Sequence, residues 1–397
     1  MGVREVFLGY DSIGNYVHTW YISQKIFAEH YLPLHITSLD SGNGLALPYG
    51  AFPWTIGAIL YHFISNRAVT LMMFFSVFAL LWAVNIAKLK FNPWLVAIYV
   101  TTPAFLHEGI LSFQLPFYWA ATFIFLYFYC LEKRKYLLAF VCMIIAIYSH
   151  PFLAPFAIFG YNALSAILNP GRRKALLWLT SLGVAVAVPI FVYIHSSPLL
   201  QEQSFSYLAL RLLERIGRGE ALIIVPFILI YYRQFFLRHS HLVIGVMSLA
   251  NVGLLLGTHN YYGLLHDSEP KYNQYLQSSA FVHEATYRIL TPATKKDGML
   301  YFVQSGAILP NDFFTESMYK KDWLPEEYES FLTQKKINFV VLEQGYTEDE
   351  NTNESLLLAD MVVNGKANVQ FQDPAKRFIV YDVRPPETDQ ANSPAIN

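Results

Sequence analysis

Charge is scarce in this sequence: Asp, Glu, Lys and Arg make up only 14% of its 397 residues, against roughly 25% in an average soluble domain. Too little polar side chain is left to cover a water-soluble core of this size. Net charge is also nearly absent, at −1, which argues against a phosphate-backbone partner and so against nucleic acid. Cysteine is limited to Cys130 and Cys142, both in apolar runs, which removes a disulfide framework and a cysteine metal site. The polar C-terminal part has no glycine-rich phosphate loop, nucleophile elbow or His/Glu metal spacing, so nothing there points to nucleotide or hydrolase chemistry.

What is present is apolar and unevenly distributed, with 54% hydrophobic and 16% aromatic residues. Residues 1–257 carry 16 basic and 9 acidic side chains, net +7, while residues 258–397 carry 12 and 20, net −8. Two bodies with different solvents follow.

Ala68 to Ala87 is a charge-free run of 20 residues, enough at about 1.5 Å per residue to cross a hydrocarbon core of roughly 30 Å. Basic clusters then recur at Lys88 and Lys90, at Lys133 to Lys135, at Arg172 to Lys174, and at Arg233 with Arg238. If these stay on the cytoplasmic side, each interval between them holds an even number of crossings. The interval from Lys90 to Glu132 has Glu108 as its only internal charge, and the one from Lys135 to Arg172 is uncharged and broken at His150-Pro151. A further pair is expected at 175–194 and 221–232, and a last crossing at 242–257. The expectation is an all-α polytopic membrane protein with about eight spans and both termini outside. Its inner loops hold 10 basic residues and one acid, Glu132.

Beyond residue 258 the chain reads as a linker over 258–296, a small α/β domain over 297–384 and a disordered end over 385–397. Within that domain, strands are predicted at 300–303, 337–343, 368–371 and 377–383, with helices at 325–334 and 353–363. The helix at 325–334 is entered through Pro325 with two glutamates in its first turn. Asn353-Glu354-Ser355 is formally a glycosylation acceptor.

The chemistry-bearing candidates lie in the outer segment 1–67, before the first span. Asp11, Asn15 and His18 are spaced i, i+4 and i+7, which places them on one face of a helix. A carboxylate there could deprotonate an acceptor hydroxyl or ligate a cation, or Asp11 could simply cap the helix. Asp40 sits in the turn-forming run Leu39 to Gly44 and offers a second acid if a divalent cation is used. Tyr49 to Trp54 leads into an apolar stretch that fits an interfacial helix, with Tyr49, Trp54 and Tyr61 at headgroup level. Glu108 and His150 fall at outer turns, either as solvated or helix-end residues or as contacts for a lipid phosphate or cation.

Asp11 with His18, Gly42-Asn43-Gly44, Tyr49-Gly50 with Pro53, Thr102-Pro103, Glu108-Gly109 and Ser149-His150-Pro151 occur in that order. In this order they resemble the GT-C class of polytopic membrane glycosyltransferases, and in particular the bacterial membrane proteins named for a 6-pyruvoyl-tetrahydropterin-synthase-related domain. The resemblance covers most of residues 9–257. It implies an integral protein of the bacterial cytoplasmic membrane, with the C-terminal domain outside, that takes a sugar from a polyprenyl-phosphate-linked donor on the extracytoplasmic face. Asp11 and His18 are then the catalytic candidates, and Asn15, Asp40, Tyr49, Glu108 and His150 the substrate-binding ones. No cofactor beyond the donor is implied, a divalent cation excepted. GT-C proteins carry a transmembrane helix before the acidic loop, whereas only ten residues precede Asp11 here, so a first span is expected to be missing from this chain.

Two other classes fit the same composition. A transporter or flippase of a lipid-linked precursor would place ionisable groups at mid-membrane and show internal repeats; the expected spans have almost no such groups and no repeat is visible. A noncatalytic scaffold would use the outer domain to bind glycans or proteins.

Overall fold

The computed structural model describes residues 12–37, 44–45, 50–89, 92–106, 114–196, 221–257, 287–289, 303, 323–334, 336–343, 353–372 and 378–384. The chain divides into two compact units, Met1–Ile36 with Leu45–His266, and Thr37–Gly44 with Asp267–Asn397.

The first unit is helical apart from its share of two short strands, β1 (His35–Ile36) and β2 (Gly44–Leu45). Its helices are α1 (Ser12–Ala28), α2 (Ala51–Ile64), α3 (Arg67–Val84), α4 (Pro93–Val100), α5 (Leu115–Glu132), α6 (Tyr136–Ser149), α7 (Leu153–Leu168), α8 (Arg173–Ser196), α9 (Ala221–Tyr231), α10 (Arg233–Arg238) and α11 (Ser240–Gly257). Among the described residues, three helical stretches are long and apolar enough to cross a membrane: Arg67–Ala87, Leu115–Glu132 and Pro170–Val192. At 21, 18 and 23 residues they cover about 27–35 Å. The other apolar helices are shorter; α4, one of the expected crossings, has only 8 residues.

α5 is the hub of this unit, with most of its surface packed against its neighbours. Tyr118 and Tyr127 are fully buried on it. The Tyr127 hydroxyl donates to Asn162 Oδ1 of α7 at 2.7 Å, and Asn162 Nδ2 donates to Thr180 Oγ1 of α8 at 3.0 Å. One buried polar chain thus ties three helices together. The outward face of α3 carries Leu71, Phe74, Phe75, Phe78 and Trp82, each more than half exposed. Helices apolar on both packed and outward faces suit a lipid surround and would be costly in water.

The connections follow the punctuation. α6 ends where expected, at Ser149 before His150-Pro151, and α5 turns into α6 through Lys133 to Lys135, with Arg134 at φ +57°. Asn92 accepts the Trp94 amide hydrogen and Pro93 opens α4.

The second unit has a four-stranded sheet made by β3 (Tyr287–Ile289), β4 (Phe339–Glu343), β5 (Asn368–Gln372) and β6 (Phe378–Asp382) in the order β3-β4-β6-β5. β3 and β4 are parallel; the other pairs are antiparallel, with Val340 opposite Tyr381 and a bulge between Val369 and Phe371. Helices α12 (Pro325–Gln334) and α13 (Glu354–Val363) complete it. β3 lies inside the segment expected to be linker, so the sheet begins before residue 297. Of the strand expected at 300–303 only Val303 is described, and it is buried. The expected disordered end at 385–397 lies outside the described residues.

The strands β4 and β6 are buried on both faces, Phe339 beside Val340 and Val380 between Ile379 and Tyr381 all being at most 8% exposed. Val340, Leu342, Ile379 and Tyr381 share a core with Tyr328 and Leu332 of α12 and Leu358 and Met361 of α13. α13 closes as predicted at Gly365 (φ +69°), with the Lys366 amide donating to Met361 O. Asn353 is taken up by this closure of the fold: its Nδ2 donates to Trp323 O at 2.6 Å, and its Oδ1 accepts the Trp323 amide hydrogen at 2.9 Å. An amide engaged on both atoms is poorly available to a glycosyl group.

Candidate functional site

α1 is buried on nearly every side between Gly14 and Ser23, although this stretch holds Asn15, His18, Thr19 and Ser23. Buried polar side chains need partners, and α2 supplies one for Asn15 while His18 finds one within α1. α1 and α2 run side by side in the same direction. Contacts advance along both together: His18 with Trp54, Thr19 with Gly57, Phe27 with His62.

The centre of this pairing is Trp54. Its indole Nε1–H donates to Asn15 Oδ1 at 2.9 Å, and its ring stacks on His18 with centroids 3.7 Å apart and planes 21° apart. All three side chains are at most 3% exposed. The His18 Nδ1 lies 2.6 Å from the Gly14 carbonyl oxygen. A carbonyl only accepts, so Nδ1 carries the hydrogen. By the same logic the indole donor fixes the Asn15 amide with its oxygen towards Trp54, leaving Nδ2 as its donor side.

Gly50 holds the other end of the indole. It sits at φ +67°, and a Cβ built there would lie 2.7 Å from the Trp54 ring. The Trp54 amide donates to Gly50 O at 3.0 Å, while the Gly50 amide donates to Ser149 O at 3.1 Å. The α2 entry is thereby fastened to the turn that carries His150. His150 is buried; its Nδ1 accepts the Leu153 amide hydrogen at 3.2 Å, and Phe117 meets its ring edge-on. This is the helix-end role, capping the start of α7, and it places the hydrogen of the neutral His150 ring on Nε2.

Of the seven candidates read from the sequence, Asn15 and His18 meet on one indole, and His150 is reached from that indole through Gly50 and Ser149. Asp11, Asp40, Tyr49 and Glu108 lie outside the described residues, Asp11 one position before the start of α1. Trp54, expected at headgroup level, is a buried partner of α1. An aromatic preceding an apolar run reads as belt chemistry, and only the pairing of α1 with α2 shows its other use. Gly50, Ser149 and Phe117 join the site for the same reason. Among the described residues no three His, Cys, Asp or Glu side chains converge as metal ligands. No known family model matches the chain, and no curated protein does.

Proposed function

We propose that this chain is a GT-C-type membrane glycosyltransferase that moves a sugar from a polyprenyl-phosphate-linked donor to an acceptor hydroxyl on the extracytoplasmic face. The observation that carries the reading is the buried cluster in which Asn15 and His18, on the helix that begins immediately after Asp11, meet Trp54 of α2, within a chain whose long helices are apolar. The order of motifs shared with GT-C proteins supports it from the sequence side. In the transfer, the acceptor oxygen forms a bond to the anomeric carbon, the bond from that carbon to the phosphate oxygen breaks, and polyprenyl phosphate leaves with the electron pair. The hydroxyl proton passes to the Asp11 carboxylate. The donor's phosphate stays at headgroup depth while its tail remains in lipid, which is why the base belongs at the membrane surface. The accompanying topology has eight crossings, made by α3 to α9 and α11, with the α/β unit on the donor side of the bacterial cytoplasmic membrane.

Asp11→Asn tests the reading, because it keeps size and capping ability and removes the negative charge. In detergent with a polyprenyl-phospho-sugar donor, the variant should fold normally and lose transfer by about 10²- to 10⁴-fold, the usual contribution of a general base. An active Asn variant would make Asp11 a cap; a wild type that transfers nothing would leave the field to the transporter or scaffold.

A further inference from the structure

Cys130 and Cys142 stand twelve positions apart in sequence and meet in the fold. Cys130 lies in the last turn of α5 and Cys142 within α6, and the turn through Lys133 to Lys135 folds these two helices back against each other. Both thiols are free, and they are in hydrogen-bond contact with one another. Cys130 is buried in the core of the helical unit, whereas Cys142 is only half-buried. On the outward side of α6, Leu138, one turn before Cys142, and Val141 beside it are 50% and 43% exposed.

A disulfide is about 2 Å long, so sulfurs already in contact have only a short distance left to close. We infer that Cys130 and Cys142 form a redox-convertible staple between α5 and α6, closed by a lipid-soluble two-electron oxidant of the quinone class. In closing, each thiol gives up its proton and one S–S bond replaces two S–H bonds. The two electrons and two protons pass to the quinone, which leaves as its hydroquinone. Leu138 and Val141 set the class of oxidant: under the membrane reading, on which this part of the inference rests, the phase beside Cys142 is lipid, and the co-reactant has to be soluble there.

The staple joins the two helices that support the site. α6 ends at Ser149, whose carbonyl accepts the Gly50 amide hydrogen, and α5 opens with Phe117, which meets the ring of His150. Closing the loop between positions 130 and 142 fixes the hairpin formed by these helices near its turn, and a closed loop also takes conformational freedom from the unfolded chain.

The test uses the full chain, reduced and placed in phosphatidylcholine vesicles, with thiols counted by maleimide after denaturation and the linkage read from peptide masses. A fully substituted benzoquinone in the bilayer should consume both thiols and join positions 130 and 142 within one chain, and dithiothreitol should restore them. Copper–phenanthroline, which calls only for proximity, should link the same pair, while oxidised glutathione, confined to water, should leave both thiols free. Val141→Cys in a Cys142→Ser background moves the thiol to the outward face and should not link to Cys130 under the quinone. Two free thiols after both the quinone and copper–phenanthroline would overturn the inference, as would linkage between chains or equally ready linkage from position 141. Linkage by copper–phenanthroline or oxidised glutathione but not by the quinone would overturn closure from the lipid phase.

Discussion

Gly50 shows how much of the site depends on a residue without a side chain. Its left-handed backbone strains any residue with a Cβ by roughly 1–2 kcal/mol, and that Cβ would press on the Trp54 ring from 2.7 Å. Gly50→Ala should therefore destabilise the protein by about 1–3 kcal/mol and shift the indole off Asn15 and His18. Gly160, in the interior of α7 with nothing within 4 Å of an added Cβ, is the internal control. There alanine should be neutral or stabilising by up to about 1 kcal/mol, because glycine is the poorer helix former. Thermal unfolding of the two variants beside wild type checks this. Equal melting points would mean that the turn before α2 accommodates the methyl group and that the indole is held by other means.

At the scale of elements, local signals read well where they are strong and fail where pairing decides. α12 follows from Pro325 with Glu326 and Glu327 in its first turn, α13 from its apolar period and Gly365, and β4 and β6 from β-branched residues. The α1 helix and its Asn15/His18 face were legible in the i, i+3 spacing. β3 was not: three residues, Tyr287-Arg288-Ile289, show no alternation, and only the parallel partner β4 makes them a strand. Trp54 was misread for a related reason, since its neighbours in sequence are apolar and its partners lie 36 and 39 positions back. β3 also has an energetic consequence. A fragment starting at Asp267 retains the β3–β4 pairing, whereas one starting at Asp297 exposes the β4 edge and loses three registered residue pairs. The longer fragment should unfold cooperatively in urea and the shorter one at a clearly lower midpoint. Matching midpoints would mean that β3 contributes nothing to the stability of the unit.

Across the whole molecule, the division into a basic apolar part and an acidic polar part sets the orientation problem. The positive residues cluster between helices, at Lys133 to Lys135 before α6 and at Arg172 to Lys174 around the start of α8, and the proposed topology has those turns on the cytoplasmic side under the positive-inside rule. Among the described residues three helices have full crossing length and five apolar helices are shorter, and whether each of these crosses changes the parity of crossings. Accessibility resolves parity directly. With Cys130 and Cys142 replaced by alanine, single cysteines at Lys135 and Arg173 should be shielded from a membrane-impermeant maleimide in intact cells. One at Ser330, exposed on α12, should react readily, because in the proposed topology an odd number of crossings follows each of these basic turns and leaves the α/β unit outside. Labelling at Lys135 with protection at Ser330 would invert the topology and put Asp11 on the cytoplasmic face. Labelling at Lys135 alone with protection at Arg173 would show that α6 and α7 make a single crossing between them. In the first of these outcomes a donor presented at the outer leaflet could not reach the site, so the side of the membrane decides the function as firmly as any substitution within it.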